Sequence, residues 1–242
     1  MNSTVQTDRL SLEVQDLESG YLGEAVVFGV SMTLAPGKIT ALFGHNGAGK
    51  TTVMKTVAGL NPTFGGSVRL GGREITGMRP DLRVKQGLVY LPQERAVFST
   101  MTVRANLLLG ATTVADPAVI EERLAFVIDL FPILGRRQEQ VTGTMSGGEQ
   151  RMVSMGIALM AGARVLMLDE PSLGLSPLVT RQLFVATQRL AREGGLTVLL
   201  VEQAIGQTLE FADHVYVLRS GRIVAEHTQE EAQARTDWWE VF

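Results

Sequence analysis

A glycine-rich segment of this chain has the residue types and the spacing of a phosphate-binding loop. Residues Gly44–Thr51 read GHNGAGKT and fit the pattern G-x-x-x-x-G-K-[ST]. Glycines let backbone N–H groups turn inward around phosphate oxygens, and a helix beginning near Lys50 directs its positive end at the same charge. We expect Lys50 to reach the β- and γ-phosphates of a nucleoside triphosphate and the Thr51 hydroxyl to ligate Mg²⁺. The residues predicted to surround the phosphates are Gly44, Asn46, Gly47, Ala48, Gly49, Lys50, Thr51 and Thr52. For this segment alone, a glycine-rich turn without a ligand is the alternative.

Two adjacent carboxylates follow a short apolar run later in the chain. Residues Val165–Leu168 predict a buried strand that ends at Asp169 and Glu170. The carboxyl edge of the sheet is where α/β proteins bind ligands. We expect Asp169 to hold Mg²⁺ through a water molecule. Glu170 is the predicted general base that polarises the attacking water, an effect worth about 10²–10⁴-fold in rate. An acidic helix cap after a core strand is the competing interpretation.

A third segment, MSGGEQ at Met145–Gln150, predicts a helix N-terminus with exposed backbone donors. Ser146, Gly147 and Gly148 would form a second anion site there. The loop at residues 44–51 already holds phosphates in this interpretation. Two anion sites far apart in sequence therefore fit one nucleotide bound between two subunits. Taken alone, the segment also fits an ordinary N-cap, at which serine is common.

The composition excludes several classes of protein. The chain has 242 residues, 45% of them hydrophobic, which suffices for one large domain or for a core with an embedded subdomain. A net charge of −3 predicts no basic surface for nucleic acid, and the absence of cysteine excludes disulfides and thiolate metal sites. The N-terminus lacks an apolar signal core, and no stretch approaches the ~18 apolar residues of a membrane helix. We expect a protein that is soluble by itself and reaches a membrane only through a partner.

The alternation of short apolar runs with helical stretches predicts an α/β fold with a largely parallel sheet. The predicted strands are Leu10–Leu17 and Val26–Leu34 at an antiparallel edge, Ile39–Phe43, Ser67–Leu70, Gly87–Leu91, Val165–Leu168, Thr197–Val201, and a hairpin of Val215–Leu218 with Ile223–Glu226. The predicted helices flanking them are Lys50–Leu60, stopped by Asn61-Pro62, Pro177–Glu193 and Ala204–Ala212. Between residues 102 and 140 the apolar periodicity becomes helical, and we predict a mainly helical subdomain over about residues 94–161.

Together these segments resemble the nucleotide-binding subunit of ATP-binding cassette (ABC) transporters over nearly the whole chain. In that family Gly44–Thr51 is the Walker A loop, Met145–Glu149 the signature and Val165–Glu170 the Walker B strand. The resemblance implies that Tyr21 stacks on adenine, although a tyrosine at the solvent edge is the alternative. It also implies that Gln93 contacts Mg²⁺ and relays movement toward membrane subunits. The implied cofactors are ATP and Mg²⁺.

The resemblance also implies the architecture of the chain. Residues 1–242 would form a single ABC ATPase domain with a RecA-like P-loop core. The core and an antiparallel β subdomain would occupy about residues 1–93 and 162–242, and an inserted helical subdomain about residues 94–161.

One branch of the family is more similar than the rest. The segments MSGGEQRM, LDEPSLGLSP, LLVEQ and VFSTMTVRANLLLG resemble the ATPase subunit of branched-chain amino acid importers. Importers of urea and short-chain amides look almost the same and remain the alternative. The implied partners are a second ATPase subunit, identical or a sibling chain, two transmembrane permease subunits and, indirectly, a periplasmic or extracellular solute-binding protein. The implied location is the cytoplasmic face of the inner membrane, with no nucleic acid bound.

Three positions depart from the general family pattern. Gln203 stands where most members carry a histidine near the γ-phosphate. A neutral amide can donate a hydrogen bond but carries no charge, so we expect hydrolysis to depend more on Glu170 than on Gln203, the second candidate catalytic residue. Ser176 replaces an aspartate, so the sequence predicts no particular contact of this loop across the subunit interface. Glu149 replaces a glutamine, and we expect its carboxylate to point away from phosphate, toward ribose or solvent.

Three other features of the sequence have simpler interpretations. We expect His45 to be a variable, outward side chain of the phosphate loop and Arg136-Arg137 to be a solvated helix end. Trp238-Trp239 is expected to pack onto the domain, and a surface for a partner is the alternative.

Two competing classes fit less of the chain. An ABC-type ATPase of DNA repair or of the ribosome usually carries coiled-coil insertions, zinc-binding cysteines or two cassettes, and none occurs here. A P-loop kinase or GTPase would not explain Met145–Glu149.

Overall fold

Two sheets and a group of helices make up the fold. The structure, a computed structural model, describes residues 9–94, 96–203, 205–235 and 238. The strands are β1 (Leu12–Tyr21), β2 (Glu24–Leu34), β3 (Ile39–Phe43), β4 (Thr63–Leu70), β5 (Arg73–Glu74), β6 (Leu88–Leu91), β7 (Val165–Asp169), β8 (Thr197–Glu202), β9 (His214–Arg219) and β10 (Arg222–Thr228). The helices are α1 (Lys50–Val57), α2 (Pro80–Lys85), α3 (Val103–Gly110), α4 (Pro117–Leu130), α5 (Pro132–Arg136), α6 (Gly147–Met160), α7 (Pro177–Arg192), α8 (Ile205–Leu209) and α9 (Gln229–Ala234), with a 3₁₀ turn at Thr142–Thr144.

The larger sheet has six strands in the order β10-β9-β3-β8-β7-β6. Strands β9, β3, β8, β7 and β6 run parallel, and β10 returns antiparallel to β9. Side chains along β7 and β8 alternate between two apolar layers. Leu166 and Val198 enter the layer that includes α6 and α7, whereas Met167 and Leu199 enter the layer that includes α1 and the second sheet. Because both faces are covered, these strands read as continuous apolar runs in the sequence.

The smaller sheet is antiparallel in the order β2-β1-β4-β5. It confirms that the first two predicted strands are antiparallel, but they lie in a separate sheet and not at an edge of the parallel one, and β1 and β4 extend beyond the predicted ranges. Strand β5 and helix α2 lie in the stretch after β4, where the sequence made no prediction. Tyr21 is the last residue of β1, so this sheet delivers it to the neighbourhood of α1.

Helix α1 ends earlier than predicted, at Val57 rather than Leu60, and the predicted stop at Asn61-Pro62 is wrong. Gly59 ends the helix, because its φ of 79° places it in the left-handed region that favours glycine. The buried guanidinium of Arg83 then donates to the carbonyls of Thr56 and Val57 at 3.1 and 2.6 Å. A cation at the carboxyl end of a helix offsets the negative end of its dipole, so α1 is anchored at the end opposite the phosphate loop.

Helices α3–α6 pack against one another between β6 and β7, over much of the stretch for which the sequence predicts a helical subdomain. Buried Met155 and Leu159 of α6 join this core, as does Leu107 of α3. Within the described part of the chain, no helix combines the length and the apolar character that crossing a membrane requires.

The end of the described chain returns to the core sheet. Trp238 is buried and packs edge-on against Phe43 and His227, with ring centroids 6.0 and 5.9 Å apart. The predicted packing of Trp238 onto the domain is therefore confirmed, whereas Trp239 lies outside the described residues.

Candidate functional site

Four parallel strands end at one edge of the six-stranded sheet, and each is followed by a predicted site residue. Strand β3 leads into Gly44, β6 into Gln93, β7 ends at Asp169 before Glu170, and β8 ends just before Gln203. The carboxyl edge of a parallel sheet collects the residues that follow its strands. Residues separated by more than 150 positions in the sequence are thereby brought together.

The loop between β3 and α1 is shaped by its glycines. A Cβ on buried Gly44 would lie 2.4 Å from the carbonyl oxygen of Leu218, so only glycine fits there. Gly47 and Gly49 have φ of 80° and 105°, which other residues adopt with strain. No side chain caps the N-terminus of α1, which leaves its first N–H groups directed at a ligand. His45 and Asn46 are exposed at the tip of the loop, as we expected for His45.

Lys50 lies inside this loop with only 5% of its surface exposed. Its Nζ donates to the carbonyls of Gly44 and His45 at 2.7 and 3.1 Å and lies 3.7 Å from Glu170 Oε1. Burial lowers the pKa of the Lys50 ammonium, although the nearby carboxylates of Glu170 and Asp169 act in the opposite direction. A buried cation held over carbonyl oxygens at a helix N-terminus is suited to bind an anion.

Asp169 is buried at the end of β7 and holds only one of its oxygens in a hydrogen bond. The Tyr90 hydroxyl donates to Asp169 Oδ2 at 2.9 Å. Among the residues that the structure describes, Oδ1 has no hydrogen-bond partner although it is buried. Burial raises the pKa of this carboxyl, and the hydroxyls of Tyr90 and Thr51 lower it. An unpartnered carboxylate oxygen close to a threonine hydroxyl fits a hard cation such as Mg²⁺, which takes oxygen ligands and is completed by phosphates.

Glu170 is held by two amides as well as by Lys50. Gln203 Nε2 donates to Oε1 at 2.7 Å, and Gln93 Nε2 donates to Oε2 at 3.4 Å. The backbone of Glu170 has a φ of 45°, a left-handed conformation that is uncommon for a residue with a side chain. Its N–H donates to the Val201 carbonyl at 2.9 Å, which fixes the turn against β8. The carboxylate is therefore oriented by donors from two neighbouring strands.

Buried Glu202 fixes the loop that follows Glu170. Its Oε1 accepts the N–H of Ser172 at 3.0 Å, and burial raises the pKa of the Glu202 carboxyl. Ser176, at the end of this loop, caps α7 by accepting the N–H of Val179 at 3.4 Å.

Tyr21 presents a partly exposed ring beside the phosphate-loop helix. The side chain is 44% exposed, and its hydroxyl lies 3.4 Å from Thr52 Oγ1 on α1. A ring held at one edge with a free face is suited to stack on a base. The structure places Tyr21 beside α1, and its stacking on adenine stays a prediction.

The segment at Ser146 begins helix α6 with its N-cap exposed. Ser146 accepts the Glu149 N–H at 3.4 Å, while the Ser146 N–H and hydroxyl both donate to Glu149 Oε2 at 2.9 Å. This reciprocal capping box corrects our expectation that Glu149 points toward ribose or solvent. Its other oxygen lies 3.0 Å from Arg137, so that half of the Arg136-Arg137 pair is an ion-pair partner and not simply a solvated helix end.

The comparisons with known proteins agree with this geometry. The family model described as ABC transporter matches residues 27–173. The chain belongs to the ABC transporter family. It is an ATP-binding cassette with an α/β fold, and it is an ATPase.

Individual ABC proteins match most of its length. The chain is 42% identical over 214 residues to the high-affinity branched-chain amino acid transport ATP-binding protein BraG of Pseudomonas aeruginosa, covering 88% of this chain and 91% of that protein. It is 40% identical over 220 residues to the probable branched-chain amino acid transport ATP-binding protein LivF of Archaeoglobus fulgidus, covering 91% and 93%. The crystal structure of an ATP-binding cassette in its ADP conformation superposes with a TM-score of 0.84 at 26% identity, covering 93% of each chain.

Two residues of this ABC ATPase escaped the sequence analysis. Tyr90 read as one more apolar position of a strand. Arg151 is a buried cation on α6 that donates to the carbonyls of Pro92 and Gln93 at 2.8 and 2.5 Å. The available signal for Arg151 was a charged residue within an otherwise apolar helical run.

The contact between Gln203 and Glu170 makes a prediction about turnover in this ABC ATPase. Replacement of Gln203 by alanine should lower the ATPase rate by roughly tenfold, since one hydrogen bond to a charged group contributes about 1.5–3 kcal/mol. The loss should be smaller than for Glu170→Gln, because the amide orients the carboxylate without taking a proton. Steady-state phosphate release checks this, with exposed Gln207→Ala on α8 as the control. Gln203→Ala losing as much activity as Glu170→Gln would contradict it.

Proposed function

We propose that this chain hydrolyses ATP to drive the uptake of branched-chain amino acids through membrane permease partners. The observation that carries the proposal is the convergence of Lys50, Asp169, Glu170 and two glutamines at one sheet edge, in a chain similar over most of its length to two branched-chain amino acid transport ATP-binding proteins. The catalytic cluster supports hydrolysis, and the two relatives support the transported solute.

We infer that Mg²⁺ binds with the nucleotide at Thr51, Asp169 and Gln93. The described residues contain no group of three or more acidic or histidine side chains that would hold a metal alone. This suits Mg²⁺, which commonly takes one or two protein ligands and completes its shell with phosphates and water. When bound, the ion neutralises charge on the transferred phosphoryl group. Asp169 Oδ1 and the Thr51 hydroxyl are the oxygen atoms of this chain suited to face it.

The donors around Glu170 suggest how ATP activates the site. Lys50, Gln93 and Gln203 all face the Glu170 carboxylate, and Lys50 and Gln93 are also the side chains assigned to phosphate and Mg²⁺. A triphosphate draws Lys50 toward its β- and γ-oxygens because a buried ammonium is stabilised by anionic partners. Glu170 then loses the nearby Lys50 ammonium, keeps the hydrogen bond from Gln203, and accepts a proton from the attacking water. ATP binding thus frees the Glu170 carboxylate to act as the general base.

The remaining half of the nucleotide site comes from a second ATPase subunit in this proposal. Ser146, Gly147 and Gly148 lie at the N-terminus of a 14-residue helix, where backbone N–H groups attract anions. Two subunits facing each other would place each Ser146 segment over the partner's triphosphate. ATP then favours the closed dimer because it contacts both subunits only in that state.

Membrane coupling follows from the position of Gln93. The segment after β6 leads directly from the nucleotide into α3 and the helices around it. We infer that this segment and the helices meet two permease subunits at the cytoplasmic face of the inner membrane, with a solute-binding protein on the far side. The chain would then be a peripheral subunit.

Uptake in cells tests the proposal. The chain is expressed with the permease and binding-protein chains encoded beside it, in bacteria deleted for their own leucine importers, and uptake of labelled leucine and of labelled urea is measured. We expect leucine uptake that Lys50→Ala abolishes and that Lys55→Ala on the same helix retains. Urea uptake instead of leucine uptake would overturn the proposal that the transported solute is a branched-chain amino acid. An assembled complex whose purified ATPase subunit fails to hydrolyse Mg²⁺-ATP would overturn the mechanism.

A further inference from the structure

Tyr90 contacts the candidate metal ligand from the neighbouring strand. In the parallel register of β6 and β7, Tyr90 is paired with Met167. Asp169 lies two residues beyond Met167 and therefore on the same face of the sheet. The Tyr90 hydroxyl spans this step and donates to Asp169 Oδ2 at 2.9 Å.

The surroundings of Tyr90 keep its hydroxyl a donor. The ring packs against the apolar layer that contains Met54 and Val57 of α1. In its contact with the Asp169 carboxylate, the Tyr90 hydroxyl is the donor.

The hydrogen bond from Tyr90 gives the two Asp169 oxygens different environments. Oδ2 is occupied by Tyr90, whereas Oδ1 is buried and has no hydrogen-bond partner among the described residues. A buried polar atom without a partner is unfavourable, so such atoms need an explanation. A carboxylate turned by one fixed donor presents its second oxygen in a single direction, which is the task of outer partners of metal ligands.

We propose that Tyr90 is a positioning residue for Mg²⁺: its hydroxyl fixes the Asp169 carboxylate so that Oδ1 faces the ion or a water bound to it. The inference rests on the proposed function, because it takes Asp169 as the metal ligand. It adds a residue that lies on a different strand and touches neither nucleotide nor metal itself.

A second tyrosine in the same sheet provides a matched control. Tyr216 on β9 is buried, and its hydroxyl accepts the Thr33 N–H at 3.2 Å in the second sheet. Removing either hydroxyl deletes its hydrogen bonding and keeps the ring. Of the two tyrosine hydroxyls, only that of Tyr90 touches Asp169, so a general effect of losing a tyrosine hydroxyl appears in both variants.

The experiment measures metal binding without turnover. Wild type, Tyr90→Phe and Tyr216→Phe are each titrated with Mn²⁺ in the presence of a saturating, non-hydrolysable ATP analogue, and free Mn²⁺ is followed by electron paramagnetic resonance. Removing an outer partner of a metal ligand lowers affinity by about 10–100-fold. We expect Tyr90→Phe to weaken Mn²⁺ binding about tenfold, and Tyr216→Phe to leave it within about twofold of wild type. Metal-free binding of the analogue should be equal in all three.

A double-mutant cycle with Asp169→Asn separates positioning from packing. If Tyr90 acts through Asp169, adding Tyr90→Phe to Asp169→Asn causes little further loss of Mn²⁺ affinity. Unchanged Mn²⁺ affinity in Tyr90→Phe, or equal losses in both tyrosine variants, would overturn the proposed role of Tyr90 but not the proposed Mg²⁺ site. A wild-type protein that binds the analogue but gains no Mn²⁺ site would overturn the proposed Mg²⁺ site together with it.

Discussion

Replacement of Glu170 by glutamine is expected to lower the rate of ATP hydrolysis by about 10²–10⁴-fold while ATP binding is retained. Glutamine keeps the size of the side chain, and its single amide oxygen can still accept the hydrogen bond from Gln203. It cannot take a proton from water, so the ATP-bound state should persist. We therefore expect Glu170→Gln to accumulate as a closed dimer with ATP. Single-turnover kinetics measure the first effect, and size-exclusion chromatography with ATP and without it measures the second.

Glu202→Gln is the matched control for this substitution. Glu202 is a buried carboxylate on the adjacent strand, and its Oε1 accepts the Ser172 N–H at 3.0 Å. An amide oxygen can accept the same bond, so turnover should fall far less than in Glu170→Gln. A Glu170→Gln protein that hydrolyses ATP at the normal rate would remove this residue from the role of general base.

Mixing two inactive variants should restore activity if one nucleotide is bound between two subunits. Lys50→Ala removes the phosphate-binding ammonium, and Ser146→Asp places a negative charge where the partner's triphosphate would bind. Aspartate accepts the first N–H groups of a helix as well as serine does, so helix α6 should form, with only the hydroxyl bond to Glu149 lost. A mixed dimer then contains one site with both defects and one site with neither. With half of the dimers mixed, we expect about a quarter of wild-type activity in a 1:1 mixture.

Two measurements make the mixing experiment decisive. Differently tagged chains establish by pull-down that mixed dimers form. Thr228→Asp is the control for Ser146→Asp, because Thr228 caps α9 with the same capping box at a helix remote from the proposed site. It should leave ATPase activity unchanged. Mixed dimers with no more activity than the separate variants, together with full hydrolysis by an isolated wild-type monomer, would exclude the shared site.

The strands of the core were predictable because burial on both faces produces a continuous run of apolar residues in the sequence. Val165–Asp169 and Thr197–Glu202 have no exposed residue, so each appears as an apolar run followed by an acid. The ends of these two strands meet at one edge because the strands pair in parallel. The sequence could not give the order of strands, on which the meeting of Glu170 with Gln203 depends.

Residues that act through distant contacts were harder to predict. The role of Tyr90 depends on its register against β7, which no local pattern encodes. Glu149 is a different case, because Ser146-x-x-Glu149 is itself the sequence signature of a capping box. The N-cap alternative at Ser146 accounts for one half of this capping box, and the Glu149 carboxylate bound to the Ser146 N–H is the other half.

Arg151 joins helix α6 to the segment after β6 through the main-chain oxygens of Pro92 and Gln93. Carbonyl oxygens are present whatever amino acid occupies a position. Substitutions at 92 or 93 can therefore change the contacts of that segment with the nucleotide while its hydrogen bonds to Arg151 on α6 remain. Only a substitution of Arg151 removes the donor of this contact, whereas the side chains at positions 92 and 93 can change without its loss.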